Sequence, residues 1–330
     1  MNSDMRCDNL NKTILITGGA GFVGSFLCKK IIETTEYNVA IFDKKCGENM
    51  DNLIQVNSQR MRFIRGDIRD FEEIKNATAG VEKVIHLAAI TSVQESMSNP
   101  NLTMETNVNG SKNLMKACLE TDVKRVVFAS SAAIYGENQN LPIKEQDAGL
   151  FPLISPYAES KLANEIDIHA LSGDSITSIG LRFFNIYGHN ELFEGKLASV
   201  IPAFVKKIRQ GQSPIIYGDG SATRDFVHLS DVYSAIMRAL VVDKANLNDA
   251  RNYNIASGTA VSMLELVKSI NNQMSQIDEN WVPISPKISE SRQGDISHSC
   301  ADITLARNNL SWTPKVKLEE GLKEMLLQSI

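Results

Sequence analysis

The sequence predicts an α/β protein built on a doubly wound parallel sheet, followed by a smaller mixed α/β lobe. Over the first half of the chain, short apolar runs of strand length alternate with stretches of helical periodicity. The first apolar run leads directly into a glycine-rich segment and a helix, the connection typical of such sheets. The alternation ends near Gly188, where irregular and glycine-punctuated stretches begin.

Composition narrows the class of protein. The 330 residues allow one large unit or two domains, and the net charge is -5 with lysine and arginine dispersed, so nucleic acid is not an expected partner. No apolar run approaches the roughly 18 residues of a membrane span, and the polar start lacks a signal-peptide core, which predicts a cytoplasmic protein. The five cysteines are scattered, which predicts neither a disulfide framework nor a metal site.

The first strand, Thr13 to Thr17, runs into a loop with Gly18, Gly21 and Gly24, and apolar residues then recur at helical spacing. A glycine loop between a strand and a helix permits a tight turn and close backbone approach, and the helix N-terminus faces a pyrophosphate. A second strand ends on Asp43, about where an acidic residue holds an adenosine ribose. A carboxylate there repels a 2′-phosphate, so NAD is favoured over NADP.

Three further strands follow in this half of the chain. Residues 61–65 form one, before a helix whose start, Asp70 to Glu73, has the form of a capping box. Residues 84–89 form the next, with small residues at its end and His86 as a core residue. A long helix is expected over about 100–120. Residues 125–129 form the fifth strand and deliver Ser131 to the edge where such sheets bind ligands.

Ser155 and Pro156 predict the start of a helix that carries Tyr157 and Lys161 four residues apart on one face. A lysine ammonium beside a phenol stabilises the phenolate, so Lys161 is expected to lower the pKa of Tyr157. The pair is therefore a candidate proton-transfer device, with Ser131 as its hydroxyl partner.

The rest of the chain predicts a second lobe that contains two arginines suited to a diphosphate, Arg224 on a short strand and Arg292 on a loop. Ser262 and Glu265 form another capping box. The expected division is a nucleotide-binding domain over 1–186, with a return segment near 226–258, and a substrate lobe over 187–225 and 259–330.

In this order and spacing, the motifs resemble the extended short-chain dehydrogenase/reductase family, in its nucleotide-sugar epimerase and dehydratase branch. The motifs are Thr17 to Gly24, Asp43, Gly66-Asp67-Ile68, His86 to Ala89, Ser130 to Gly136, Tyr157 with Lys161, Arg182 to Gly188 and Arg224-Asp225-Phe226. The resemblance covers about residues 12–326. It implies a Rossmann sheet, NAD as cofactor, a UDP-sugar substrate and a homodimer.

The resemblance also implies roles for single residues. Tyr157 would be the acid/base, Lys161 would hold the nicotinamide ribose, and Ser131 would bond the reacting oxygen. Cofactor residues implied by the resemblance are Gly18, Gly21, Phe22, Val23, Asp43, Asp67, Ile68, Leu87, Ala88, Ala89 and Asn107, besides Tyr157 and Lys161. Substrate residues implied by it are Ser92, Ser131, Asn185, Val200, Tyr217, Arg224, Arg292 and Ser299.

Departures from the family pattern narrow the expected reaction. Family dehydratases carry an acid pair after the active-site hydroxyl, where this chain has Ala132 and Ala133. A 4-epimerase needs no such pair, so epimerisation at C4 of a UDP-hexose is the leading expectation. Ser299 is small where strict glucose/galactose epimerases carry tyrosine, which leaves room for an N-acetyl group.

Two other functions stay open from the sequence. A reductase or decarboxylase of a related nucleotide sugar would use the same serine, tyrosine and lysine. A catalytically silent protein that binds NAD or a nucleotide sugar would not need a tuned phenol, so the presence of all three residues favours an enzyme.

Overall fold

The computed structural model describes residues 13–46, 59–188, 199–290 and 296–328. The chain divides into two compact units with interleaved segments. The first takes the chain as far as Ile134, then Ser155–Arg182 and Ile236–Tyr253. The second takes Tyr135–Ile154, Phe183–Ala235 and the chain from Asn254 onward.

The first unit is built on a seven-stranded sheet, which confirms the predicted fold class. Its strands are β1 (Thr13–Thr17), β2 (Asn38–Asp43), β3 (Met61–Arg65), β4 (Lys83–His86), β5 (Arg125–Ser131), β6 (Thr177–Phe183) and β10 (Asn252–Ile255), in the order β10-β6-β5-β4-β1-β2-β3. β1 pairs in parallel with both β2 and β4, β2 with β3, and β4 with β5. The strand order reverses direction at β1, which is where such sheets bind ligands.

Helices flank this sheet and bury its apolar strands. They are α1 (Phe22–Thr34), α2 (Phe71–Thr78), α3 (Val93–Ser98), α4 (Pro100–Met104), a π-helical turn (Glu105–Asn109), α5 (Gly110–Leu119), α6 (Pro156–Ser172) and α8 (Leu229–Val241). One core cluster joins the β1–β2–β4–β5 strands to α2, α5 and α6 through residues such as Leu15, Leu114, Phe128 and Ile168, each at most 1% exposed. Long apolar strands are expected where both faces of a parallel sheet are covered.

The second unit contains two small sheets. Its strands are β7 (Asn185–Tyr187), β8 (Ile215–Tyr217), β9 (Thr223–His228), β11 (Ala260–Ser262) and β12 (Lys287–Ser289), and its helices are α7 (Val200–Arg209), α9 (Met263–Ile277), α10 (Thr304–Leu310) and α11 (Leu318–Gln328). β9 pairs in parallel with β7 and antiparallel with β11, and β8 pairs in parallel with β12. A separate core of apolar side chains from α7, α9 and α11 packs here.

Most predicted elements are present, and two of them differ in detail. The predicted helix over 100–120 is interrupted by the π-helical turn. Ser262 and Glu265 form the reciprocal capping box, whereas the Glu73 carboxylate accepts the Asp67 N–H rather than that of Asp70. The prediction of a full capping box at Asp70 was therefore half right, since Asp70 itself caps Glu73.

Candidate functional site

The glycine loop between β1 and α1 lies close against the end of β4. Gly18 has a φ of +72°, and a Cβ at this position would come within 2.7 Å of the Ala88 backbone nitrogen. Both the conformation and the contact require glycine. Gly21 is the N-cap of α1, so no side-chain oxygen occupies the first-turn N–H groups, which include those of Phe22 and Val23. Such a helix start suits a phosphate.

Asp43 ends β2 with its carboxylate turned toward the glycine loop. One carboxylate oxygen accepts the Ala20 N–H at 3.1 Å and the other accepts the Lys45 N–H at 2.9 Å. A carboxylate offers about four acceptor positions. Two therefore stay free to accept ribose hydroxyls, and the site fits an NAD ribose.

Asp67 and Ile68 follow β3 on the same edge. The Arg69 guanidinium forms a bidentate pair with the Asp67 carboxylate, 2.7 Å at the shorter contact, and this hydrogen bonding holds the pKa of Asp67 below its usual range. Ile68 is buried, and its side chain occupies the space next to Gly110. An apolar residue beside an ion pair can flank an adenine ring.

Asn107 is fully buried in the π-helical turn, and its side chain is committed to the protein. Its amide oxygen accepts the Ile90 N–H at 2.7 Å, while its amide nitrogen donates to the Ile90 carbonyl and to the Ser160 hydroxyl at 2.9 Å. Ser160 lies between Tyr157 and Lys161 on α6 and donates to the Tyr157 carbonyl. In this structure Asn107 fixes the segment after β4 and the first turn of α6.

A chain of buried hydrogen bonds continues from Asn107 toward the glycine loop. The Ser111 hydroxyl donates to the Asn107 carbonyl and bonds His86 Nε2, and His86 Nδ1 bonds the Thr17 hydroxyl at 2.7 Å. Burial lowers the pKa of His86 to about 3, so the ring is neutral. The structure agrees with the expectation of a core histidine, and neither ring nitrogen is available as a base.

Tyr157 and Lys161 lie on α6 as the sequence predicts, because the Ser155 hydroxyl caps the Ala158 N–H and Pro156 occupies the first turn. The Lys161 ammonium lies 5.8 Å from the centre of the Tyr157 ring and donates to the Ala129 carbonyl at 2.8 Å. This contact ties the helix to the end of β5, which carries Ser131.

The electrostatics of the pair differ from expectation. Burial raises the pKa of Tyr157, and a hydrogen bond with Ser131 acts in the opposite direction. Burial also lowers the pKa of Lys161 to about 8, against the charge of Glu165. The expectation that Lys161 lowers the pKa of Tyr157 was wrong for this structure, because the cost of burying the phenolate dominates.

Other predicted residues of the first unit have partly structural contacts. The Ser131 hydroxyl accepts the Ala133 N–H at 3.2 Å. Ser92 is the N-cap of α3 and accepts the Glu95 N–H at 3.1 Å. Leu87, Ala88 and Ala89 continue beyond β4 and are half-buried. The Thr17 carbonyl accepts the Leu87 N–H, so this segment stays beside the glycine loop.

The predicted substrate residues of the second unit lie on its strands and loops. Asn185 begins β7, Tyr217 ends β8, Val200 begins α7, and Arg224 follows the first residue of β9. Ser299 is 5% exposed on the segment after Ser297, which bonds Thr223 of β9. Arg292 lies outside the described residues.

Asp225 of β9 has no role predicted from the sequence. In the structure it is a shared hydrogen-bond acceptor for several segments of the second unit. It is fully buried and accepts hydrogen bonds from Ser257 at 2.7 Å, from the Gly258 N–H and from the Ala301 N–H. It thereby joins β9 to the segment that carries Ser299. The available signal was an aspartate directly before the apolar pair Phe226 and Val227 of a strand, because a carboxylate buried there must be hydrogen-bonded.

The described parts of the chain contain no group of three or more histidine, cysteine, aspartate or glutamate side chains placed to hold a metal ion. None of the helices in them is long and apolar enough to cross a membrane.

Comparisons with known proteins agree with this geometry. A family model described as the NAD dependent epimerase/dehydratase family matches residues 14–256. The UDP-glucose 4-epimerase of Bacillus subtilis is 30% identical over 331 residues, and the match covers 93% of this chain and 94% of the relative.

Two solved structures are similar over nearly the whole chain. The UDP-N-acetylglucosamine 4-epimerase of Methanobrevibacter ruminantium, in complex with UDP-N-acetylmuramic acid, has a TM-score of 0.86 at 31% identity and covers 97% of this chain and 99% of its own. The UDP-glucose 4-epimerase of Thermotoga maritima, with UDP-glucose, has a TM-score of 0.84 at 32% identity and covers 96% and 97%.

Proposed function

Since this chain belongs to the NAD-dependent epimerase/dehydratase family, we propose that it is an NAD-dependent 4-epimerase of a UDP-hexose with Tyr157 as its acid/base. The observation that carries this proposal is the arrangement of Ser131, Tyr157 and Lys161 at the ends of β5 and α6. A protein that only bound NAD would not need a serine hydroxyl, a half-buried phenol and a buried lysine amine placed together.

The chain's own residues provide binding and proton transfer. We assign the pyrophosphate to the first-turn N–H groups of α1 and the adenosine ribose to Asp43. NAD, when bound, supplies a reversible two-electron acceptor. The phenolate form of Tyr157 takes the proton of the sugar's C4 hydroxyl as C4 gives its hydride to that acceptor and is oxidised to a ketone. The resulting phenol returns the proton when the hydride comes back to the other face of C4.

Ser131 and Lys161 assist that proton transfer. The Ser131 hydroxyl bonds the phenol and opposes the effect of burial on its pKa, so proton loss from Tyr157 becomes easier. The ammonium of Lys161, held by the Ala129 carbonyl, is placed to bond the nicotinamide ribose. Ala132 and Ala133 offer no acid for eliminating water, which favours epimerisation over dehydration.

For the substrate, we propose that side chains of the second unit bind the nucleotide sugar, with Arg224 and Arg292 on the diphosphate and Asn185, Val200 and Tyr217 around the rest. Ser299 is small, which supports acceptance of UDP-N-acetylglucosamine as well as UDP-glucose. Among the relatives described above, one is named a UDP-glucose 4-epimerase and another a UDP-N-acetylglucosamine 4-epimerase. A homodimer belongs to the same proposal and rests on the family resemblance.

Product analysis by NMR tests the proposal. Purified protein is incubated separately with UDP-glucose and UDP-N-acetylglucosamine, without added reductant. We expect conversion to the galacto-epimers with no net change at 340 nm, and loss of conversion in Tyr157→Phe, which retains NAD. Net oxidation or reduction of NAD would point to a reductase or decarboxylase, and unchanged turnover in Tyr157→Phe would refute the assignment of the acid/base.

A further inference from the structure

A buried ion pair lies one helical turn beyond Lys161. Glu165 on α6 is 3% exposed and Arg182 on β6 is 4% exposed. The guanidinium donates from Nε to one carboxylate oxygen at 2.9 Å and from Nη2 to the other at 2.7 Å. The Ser130 hydroxyl, at the end of β5, donates to the same carboxylate at 2.5 Å. One carboxylate therefore joins one helix to two strands.

These contacts surround the proposed acid/base group without being part of it. Ser130 is the neighbour of Ser131 on β5. Glu165 follows Lys161 by four residues, so Lys161 and Glu165 lie on one face of α6. Two bonds one turn apart fasten α6 to the end of β5, one from Lys161 to the Ala129 carbonyl and one from Ser130 to Glu165. The spacing of Tyr157 from Ser131 depends on how α6 lies against that strand end.

We propose that Glu165 is a positioning residue for the reaction, which holds α6 against the end of β5 and supplies the negative charge that keeps the buried Lys161 amine protonated. This inference rests on the proposed function, in which the Lys161 ammonium takes part. Glu165 does not contact the reacting atoms and acts through Lys161 and Ser131.

The charges around Lys161 favour this role. Glu165 is the group that raises the pKa of Lys161 against burial. From β4, His86 faces the amine as a neutral ring, and the phenol of Tyr157 is protonated because burial raises its pKa. Arg182 of β6 forms an ion pair with Glu165 at 2.7 Å, and Glu165 is the charged group that acts on Lys161.

Charged side chains on the other elements that pack against α6 lie toward solvent. Glu95 of α3 and Glu105 of the π-helical turn are exposed. Lys112 of α5 forms an ion pair with Asp167, and the two side chains are 40% and 29% exposed. Exposed charges are screened, so their influence on a buried amine is small. Glu165 is thus the buried carboxylate that these contacts place beside Lys161.

The test is to titrate the amine and the reaction separately. The Lys161 ammonium is followed by ¹⁵N NMR in the NAD-loaded protein, assigned with Lys161→Met, and turnover is measured against pH. Three variants are compared with the natural protein: Glu165→Gln, the double variant Glu165→Gln with Arg182→Gln, and Asp167→Asn. The last removes a carboxylate from the same helix at the surface and serves as the matched control.

For Glu165→Gln we expect the Lys161 titration, near pH 8 in the natural protein, to move down by about one pH unit. Turnover should then fall about five-fold at pH 8 and little at pH 6, because only the protonated fraction of Lys161 changes. The double variant pairs two amides and should recover thermal stability while keeping the shifted titration. Asp167→Asn should leave both curves in place.

A merely structural role gives a different result. If Glu165→Gln lowers stability and turnover equally at all pH values, or if the double variant recovers the natural titration along with its stability, the proposal is wrong. The NMR titration does not depend on which sugar is the substrate. Absence of epimerisation by the natural protein would therefore refute the proposed function, whereas an unmoved Lys161 titration would refute the role of Glu165.

Discussion

Burial controls the chemistry of single residues in the first unit. It raises the pKa of Tyr157 and lowers that of Lys161, so each group favours its neutral form by itself. Ser131 lowers the pKa of Tyr157 and Glu165 raises the pKa of Lys161, so each opposes the effect of burial. The sequence placed the phenol and amine correctly, but the sign of the shift on Tyr157 depends on packing that no local motif records.

Glycine 18 shows how tightly one position is constrained. In Gly18→Ala the new Cβ would meet the Ala88 backbone nitrogen at 2.7 Å, in a conformation with φ of +72° that L-residues avoid. We expect the melting temperature to fall and bound NAD to be lost, because the loop cannot keep its place beside β4. Thermal unfolding and the NAD content of the purified variant measure both effects.

Gly211→Ala is the matched control for that substitution. Gly211 has nearly the same φ, +68°, but its added Cβ would meet nothing within 4 Å. The change should cost only the conformational term of about 1 kcal/mol and leave NAD content unchanged. Equal effects of the two substitutions would show that the contact with Ala88 is unimportant.

The π-helical turn is a secondary-structure element that the sequence did not predict. Helical periodicity continues through it, and its cause lies elsewhere in the chain, in the bonds from Asn107 to Ile90 and Ser160. The strands β1 and β3 have their predicted bounds, and each is followed directly by a glycine that marks its end locally. Elements set by local patterns were predictable, and those set by distant side chains were not.

Asn107→Asp tests the turn as an element. The carboxylate cannot donate to the Ile90 carbonyl or to Ser160, and it would be buried against that carbonyl. We expect the free energy of unfolding to fall by about 2 kcal/mol or more. Denaturant unfolding measures this loss. Asn109→Asp, on the exposed side of the same turn, should change it by less than about 0.5 kcal/mol.

At the scale of the whole molecule, contacts between residues distant in the sequence decide which segments belong to each unit. Residues 135–154 belong to the second unit, although the predicted boundary lay near 186. Asn254 explains the assignment, because it donates to the Ile143 carbonyl and its N–H is accepted by Glu145. Such contacts join residues more than 100 positions apart, beyond the reach of periodicity or composition.

Acid stability is a property of the whole molecule that the buried histidines predict. Burial lowers the pKa of His86 from 6.5 to about 3 and lowers those of His169 and His228. Between about pH 3 and pH 6.5 the unfolded chain binds protons at these histidines that the folded protein does not. The histidines' contribution to the free energy of unfolding is therefore fully present above about pH 6.5 and is lost as the pH falls toward 3.

The measurement is the free energy of unfolding as a function of pH. His86 alone should contribute a slope of up to about 1.4 kcal/mol per pH unit between pH 3 and 6.5. His86→Gln should have a shallower slope over that range, even if it is less stable at pH 7. A slope equal to that of the natural protein would mean that His86 titrates normally in the folded state.

The interleaved units also set the order in which a new chain can mature. The chain passes from one unit to the other after Ile134, Ile154, Arg182, Ala235 and Tyr253. The edge strand β10 spans Asn252–Ile255, so the seven-stranded sheet can be completed only after the chain has been synthesised as far as Ile255. A chain released earlier would carry Gly18, Ser131 and Tyr157 without the finished sheet that positions them.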